Sequence, residues 1–215
     1  DLKNRNLIWI GRFSEEKQPM HALRIMELVV KSYPDAKLYM VGTTHHPNKM
    51  DKYFKECKRL KLTDNVEFCG FKIDVGEFYQ ASSIHLLLSK YEGFSMTLAE
   101  SKAYGLPTVM YEMPYLEMAR DNKGIISVKQ GDVKGAAKEI IRLFSDDELR
   151  CRLGNEANIS LKKYLDFDHA NAWENVFASL LAPEKEKLPS NNKIIVETII
   201  SHYKSCWKKV QNEIS

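Results

Sequence analysis

Two carboxylates eight positions apart bracket a Gly-Phe-Ser bend in the stretch YEGFSMTLAE. Glu92 precedes the bend, and Glu100 lies about one turn into a helix that we expect to begin at Met96. Gly93 allows close backbone approach and positive φ, and Ser95 is a natural N-cap. The first N–H groups and the dipole of such a helix favour an anion. Ionised carboxylates on either side would instead accept hydrogen bonds from hydroxyl groups.

The stretch GRFSEEK, which follows the first predicted strand, supplies Arg12 and Lys17. Arginine offers a planar fork of donors and lysine a mobile point charge, so together they could hold a diphosphate. The alternative is two solvated cations offset by Glu15 and Glu16. An anion site flanked by two hydroxyl-binding acids fits a sugar, a diphosphate and a second sugar, which is a nucleotide-sugar. The competing interpretation is an ordinary loop glutamate and an ordinary helix glutamate.

The stretch GFKIDVGEF, after the third predicted strand, offers an aromatic ring beside a cation. Phe71 could stack on a nucleobase, with Lys72 close to it. A core phenylalanine is the alternative, and the sequence favours neither.

Six short apolar runs alternate with helical patterns and set these loops in order. Each run has strand length and is bounded by turn-forming or polar residues. This alternation predicts an α/β fold with a six-stranded parallel sheet flanked by helices, in which ligands bind beyond the carboxyl ends of the strands. The predicted strands are 6–11, 37–42, 65–70, 83–89, 107–111 and 124–128, and the predicted helices are 20–30, 50–60, 96–104, 133–144 and 168–181.

The composition excludes several functional classes. The 215 residues carry 32 basic and 29 acidic side chains, a balance that argues against a nucleic-acid partner. The four cysteines are far apart and show no metal-ligand spacing, so we expect no metal site and reduced cytoplasmic thiols. The sequence contains neither a dinucleotide fingerprint nor a P-loop.

Four stretches together resemble the retaining glycosyltransferases of the glycogen-synthase-like family 4. EGFSMTLAE is similar to their E-x7-E motif and GRFSEEK to their G-R-x4-K segment. VEFCGF and AYGLPTV resemble two further landmarks, in the family's order, and the resemblance covers residues 6 to about 182. It implies the Rossmann-like C-terminal half of a two-domain GT-B enzyme that transfers a sugar with retention of configuration to a glycan or lipid-linked acceptor.

The resemblance also implies roles for individual residues. Arg12 and Lys17 would bind the diphosphate and stabilise the leaving nucleotide, and Glu92 would contact the donor sugar near the reacting centre. Glu100 would hold the ribose hydroxyls. No metal or cofactor is implied, because cationic side chains and a helix N-terminus would stabilise the charge that develops on the leaving group. The remaining donor-binding residues implied are Gly93, Phe94, Ser95, Met96, Phe71 and Lys72.

The chain departs from the family in the loop after the fifth strand. Met113, Pro114 and Tyr115 stand where the family often has a Gly-Gly pair, with Glu117 as the candidate for the acid that follows. The resemblance therefore leaves the donor sugar open. A catalytically silent partner subunit with the same fold is the alternative function, although such a subunit would not need all four charged site residues.

We expect residues 1–182 to form the nucleotide-sugar-binding domain and 183–215 to form a polar linker and an amphipathic helix. The N-terminal acceptor domain of the family is absent from the chain, so we expect a fragment that binds nucleotide and transfers little alone. The helix at 194–214 would pack on the protein or contact a membrane surface. The predicted location is the cytoplasm, with the inner face of the membrane as the alternative.

Overall fold

The computed structural model describes residues 2–44 and 49–181. The predicted linker and the 194–214 helix lie outside the described residues. The chain divides into one compact unit, Asp1–Lys162, and a second that begins at Lys163. The sheet and all the loops discussed below belong to the first unit.

Six parallel strands form one sheet in the order β3-β2-β1-β4-β5-β6. The chain starts at the centre, moves outward to β3, and then crosses back so that β4 lies beside β1. The loops that follow β1 and β4 therefore leave the sheet side by side, which is the point where an open α/β sheet binds its ligand. The strands are β1 Asn6–Ile10, β2 Lys37–Val41, β3 Val66–Gly70, β4 Ile84–Leu87, β5 Thr108–Tyr111 and β6 Ile125–Val128.

Helices connect the strands and continue beyond the sheet. They are α1 Pro19–Val29, α2 Asp51–Arg59, α3 Gly76–Gln80, α4 Met96–Ala103, α5 Val133–Ser145, α6 Asp147–Leu165 and α7 His169–Leu181, with a short 3-10 helix at Glu117–Ala119. The predicted α/β fold and parallel sheet are confirmed. Helices α3 and α6 and the 3-10 helix were not predicted.

The sheet is buried on both faces, as parallel sheets usually are. Alternate residues of β1 point to opposite sides: Leu7 belongs to one buried cluster and Ile8 to the other. Leu23 of α1 and Ile140 of α5 cover the first face, whereas Tyr79 of α3 covers the second.

Helix α7, in the second unit, has an aromatic pair on its surface. The rings of Trp173 and Phe177 stack with centroids 5.7 Å apart. Nowhere in 2–44 or 49–181 does the structure contain a helix long and apolar enough to cross a membrane.

Candidate active site

The loop after β1 is held to its neighbours by backbone hydrogen bonds. The N–H of Gly11 donates to Val41 O at 3.0 Å, and that of Gly42 donates to Gly70 O at 2.8 Å. Gly42 has φ +133°, and a Cβ there would lie 2.0 Å from the carbonyl oxygen of Gly11. Only glycine lets the two loops approach this closely.

Packing between buried aromatic rings holds the loop after β1 in place. Phe13 is buried edge-on between the rings of Trp9 and Tyr53, with centroid distances of 5.0 Å to each. The indole N–H of Trp9 donates to the carbonyl oxygen of Lys17 at 3.3 Å. Buried aromatic rings therefore support the loop, on which Arg12 is exposed.

Lys17 and Glu92 meet between the loops after β1 and β4. The Lys17 Nζ lies 2.6 Å from Glu92 Oε1, and the hydroxyl of Ser89 donates to the same oxygen at 2.6 Å. The Lys17 side chain is 25% exposed and the Glu92 side chain 10%. The backbone N–H of Lys90 donates to Glu16 O at 2.7 Å, which joins the two loops a second time.

A glutamine from the loop after β6 ties both loops together. The amide of Gln130 donates to the carbonyl oxygens of Ser89 at 3.1 Å and Lys90 at 3.3 Å. Its Oε1 accepts from Gln18 Nε2 at 3.1 Å. Gln18 has φ 51°, a left-handed conformation that glycine adopts more readily than glutamine.

The start of α4 differs in detail from the prediction. Ser95 occupies the N-cap position, but its side chain makes no capping hydrogen bond. Positive φ falls on Ser95, at 64°, rather than on Gly93. The space where a Gly93 side chain would lie is open, and Phe94 and Met96 are 51% and 63% exposed. The bend thus presents backbone and two apolar side chains to solvent beside the first N–H groups of the helix.

Glu100 is oriented by a tyrosine that the sequence did not indicate. The hydroxyl of Tyr79, on α3, donates to Glu100 Oε2 at 2.9 Å. Tyr79 is buried and stacks on Tyr104 with centroids 5.2 Å apart. Burial, reinforced by the adjacent Glu100 carboxylate, raises the pKa of Tyr79, so the phenol keeps its proton and remains a donor.

A cleft of about 460 Å³ opens beyond the carboxyl ends of β1, β2 and β3. Phe71 is 72% exposed and lines this cleft, so the alternative of a core phenylalanine is wrong. Lys72 also lines it, and its Nζ lies 5.7 Å from the ring centroid of Phe78. Arg12 and two threonines that were not predicted, Thr43 and Thr44, complete the polar part of the lining.

The loop after β5 reaches the Glu92 backbone. The N–H of Glu92 donates to the hydroxyl of Tyr115 at 3.2 Å. Glu117, proposed as the family's acid, is about half exposed and forms an ion pair with Arg120 at 2.8 Å. In the described part of the chain, no group of three or more His, Cys, Asp or Glu side chains is placed to hold a metal ion.

The strand order, the crossover between β1 and β4, and the helix that begins beside it define a Rossmann-like ligand-binding domain. The family model of the group 1 glycosyl transferases matches residues 1–159, and the chain belongs to that family. The predicted relationship to glycosyltransferases is confirmed.

The chain is similar to curated glycosyltransferases in sequence and to solved structures in fold. The chain is 24% identical over 208 residues to the poly(glycerol-phosphate) alpha-glucosyltransferase of Bacillus subtilis, covering 95% of this chain and 30% of that protein. It shares its fold with S. aureus TarM in complex with UDP (TM-score 0.69, 21% identity, 76% of this chain and 34% of that one). It also resembles the pneumococcal O-GlcNAc transferase GtfA in complex with UDP and GlcNAc (TM-score 0.71, 19% identity), over 84% of this chain and 37% of that one. The chain spans less than half the length of the curated relatives it matches.

Proposed function

We propose that this chain is the donor-binding half of a retaining glycosyltransferase, which moves a sugar from a nucleoside-diphosphate sugar to a glycan or lipid-linked acceptor. The observation that carries the proposal is the contact between Lys17 and Glu92, 2.6 Å apart at the crossover between β1 and β4. A cation and an acid from two different loops meet there beside the start of α4.

The diphosphate would lie at the cationic end of this arrangement. Lys17 and the exposed Arg12 supply positive charge, and the first N–H groups of α4 supply donors. When the glycosidic bond breaks, negative charge develops on the departing nucleoside diphosphate, and these groups stabilise it. The proposed reaction therefore requires no metal ion.

The two acids would bind the sugars on either side. Glu92 Oε1 accepts from Lys17 and Ser89, whereas Oε2 takes part in neither contact and is the oxygen we assign to a donor-sugar hydroxyl. Glu100, held by Tyr79, would accept the ribose hydroxyls. Backbone and side chains at 93–96 would line the donor between them.

The nucleobase would enter the cleft beyond β1, β2 and β3. The volume of this cleft is within the range of small-molecule sites, and Phe71 offers an exposed ring for stacking. Lys72 and Thr43 would supply polar contacts at the rim. Solved structures of the same fold contain UDP, so uracil is the first base to test.

The rest of the proposal concerns the whole enzyme. A partner domain on the N-terminal side would bind the acceptor, in keeping with the share of its relatives that this chain covers. We place the enzyme in the cytoplasm and assign residues 1–182 to the donor domain. The 194–214 segment, which repeats apolar residues at helical spacing and carries three lysines, would pack on the protein or contact the inner membrane surface.

Calorimetric titration of UDP, GDP and ADP against the 215-residue chain tests the donor site. We expect one nucleotide to bind, and we expect Lys17→Met to weaken it about tenfold or more because a charge-assisted contact is lost. Glu100→Gln should weaken it as well. Lys31→Met, at an exposed lysine after α1, is the matched control and should bind as wild type.

Two results would overturn the proposal: no nucleotide binds, or binding is unchanged in both Lys17→Met and Glu100→Gln. Transfer is tested separately, after the acceptor half has been joined to this chain. Nucleotide binding without any transfer by the joined protein would favour the silent partner subunit.

A further inference from the structure

We propose that Tyr115 is a positioning residue for the donor sugar. Its hydroxyl fixes the backbone of Glu92 and thereby sets the affinity for the sugar part of the donor, but not the affinity for the nucleotide. This inference rests on the proposed function, because it takes Glu92 as the sugar-binding acid. It concerns the loop after β5, where the chain departs from the family.

The loop after β5 is anchored by buried side chains and by its own backbone hydrogen bonds. Met113, Leu116 and Met118 are buried, with 3%, 1% and 1% of their surfaces exposed. The N–H of Leu116 donates to Met113 O at 2.9 Å, and the N–H of Ala119 donates to Leu116 O at 2.9 Å. Tyr115 is half-buried between these anchors, so its hydroxyl is presented at a fixed position.

Glu92 is held at two separate points. Its carboxylate accepts from Lys17 and Ser89, each at 2.6 Å, and its backbone N–H donates to the Tyr115 hydroxyl at 3.2 Å. The first point faces the cation assigned to the diphosphate, and the second lies at the entry to the bend at Gly93. Removing the phenol hydroxyl releases the backbone and leaves the ion pair in place.

Glycine at position 115 could not make this contact, because it has no side chain. Pro114, just before the tyrosine, has a fixed φ, which narrows the backbone conformations open to this turn. The side chain of Tyr115 thus provides a restraint on the Glu92 loop that a Gly-Gly pair would have to provide by other means.

Tyr115→Phe tests the inference because it keeps the ring and removes only the hydroxyl. Calorimetry would compare the nucleoside diphosphate that binds wild type with its glucose and N-acetylglucosamine derivatives. We expect the affinity for the diphosphate to stay within about twofold and the affinity for at least one sugar derivative to fall about three- to tenfold, the equivalent of one hydrogen bond. If Tyr115 acted only in folding, the substitution would change the affinities for the diphosphate and for its sugar derivatives to the same extent.

Tyr33→Phe is the matched control, because Tyr33 packs against Phe144 and Arg5, next to the amino-terminal end of β1. Thermal unfolding checks each variant, and Tyr115→Met should reproduce the same separation if Tyr115→Phe proves unstable. Equal weakening of both ligands, or no weakening of either, would overturn the inference alone. If wild type binds no nucleotide at all, the proposed function fails first.

Discussion

Breaking the Lys17–Glu92 pair should reveal how strongly the loops after β1 and β4 are coupled. We consider Lys17→Met, Glu92→Gln and the double variant. Glutamine keeps an oxygen that can accept from Ser89, and methionine keeps most of the lysine stem, so the substitutions remove mainly the charges.

The contact geometry sets the size of the effect. Two unit charges 2.6 Å apart attract by about 1.6 kcal/mol at the dielectric constant of water and by about 6 kcal/mol at an effective value of 20. Desolvation offsets much of the larger figure. With one partner 25% exposed and the other 10%, we expect a coupling free energy of about 1–2 kcal/mol, above the ~0.2–1 kcal/mol of fully exposed pairs.

Urea unfolding of the four proteins yields the coupling free energy as a double-mutant cycle. Calorimetry on the same proteins adds a test of direction. Glu92→Gln removes a negative charge next to the proposed diphosphate and releases Lys17, so nucleoside diphosphate binding should hold or tighten while Lys17→Met weakens it. A coupling below about 0.3 kcal/mol, or equal weakening by both single variants, would refute this reasoning.

Three further predictions concern Tyr79 and Gln130, which contact the site loops, and His85, which is buried in β4. Tyr79→Phe should weaken nucleoside diphosphate binding about two- to tenfold by calorimetry, because Glu100 loses the donor that orients it. Gln130→Ala should lower the free energy of urea unfolding by about 1–3 kcal/mol, since three hydrogen bonds between loops, two of them part-buried, disappear. Burial lowers the pKa of His85 to about 3. Between about pH 6.5 and pH 3, His85 is therefore protonated in the unfolded chain but neutral in the folded chain. Stability should therefore fall as pH drops from about 6.5 towards 3, by roughly 1–3 kcal/mol at pH 4.5, and urea unfolding of His85→Gln should show a shallower fall.

Local patterns were enough to predict the sheet. Each strand is a short apolar run with turn-forming or polar residues at its ends, and burial on both faces requires such runs. Helix α6 escaped prediction because its sequence carries charges around most of its surface and a glycine, Gly154, in its interior. Helix α3 has only five residues, too few to show a period.

Some features of the candidate site could likewise be predicted from the sequence, and others could not. Lys17 and Glu92 were expected to converge on one nucleotide-sugar, because both follow strands of a predicted parallel sheet, but their direct contact was not predicted. Tyr79 and Tyr115 were not expected, since their partners Glu100 and Glu92 lie 21 and 23 positions away and the contacts depend on tertiary packing. The left-handed backbone of Ser95 could not be predicted either, because serine at this position usually caps the helix with its side chain.

A crystal structure of this chain with its nucleoside diphosphate bound would decide whether the crossover between β1 and β4 is the donor site. We expect the diphosphate to lie within hydrogen-bonding distance of Lys17 Nζ and the first N–H groups of α4, with the ribose hydroxyls on Glu100. A nucleotide bound away from the crossover between β1 and β4, or one whose ribose faces away from Glu100, would contradict it.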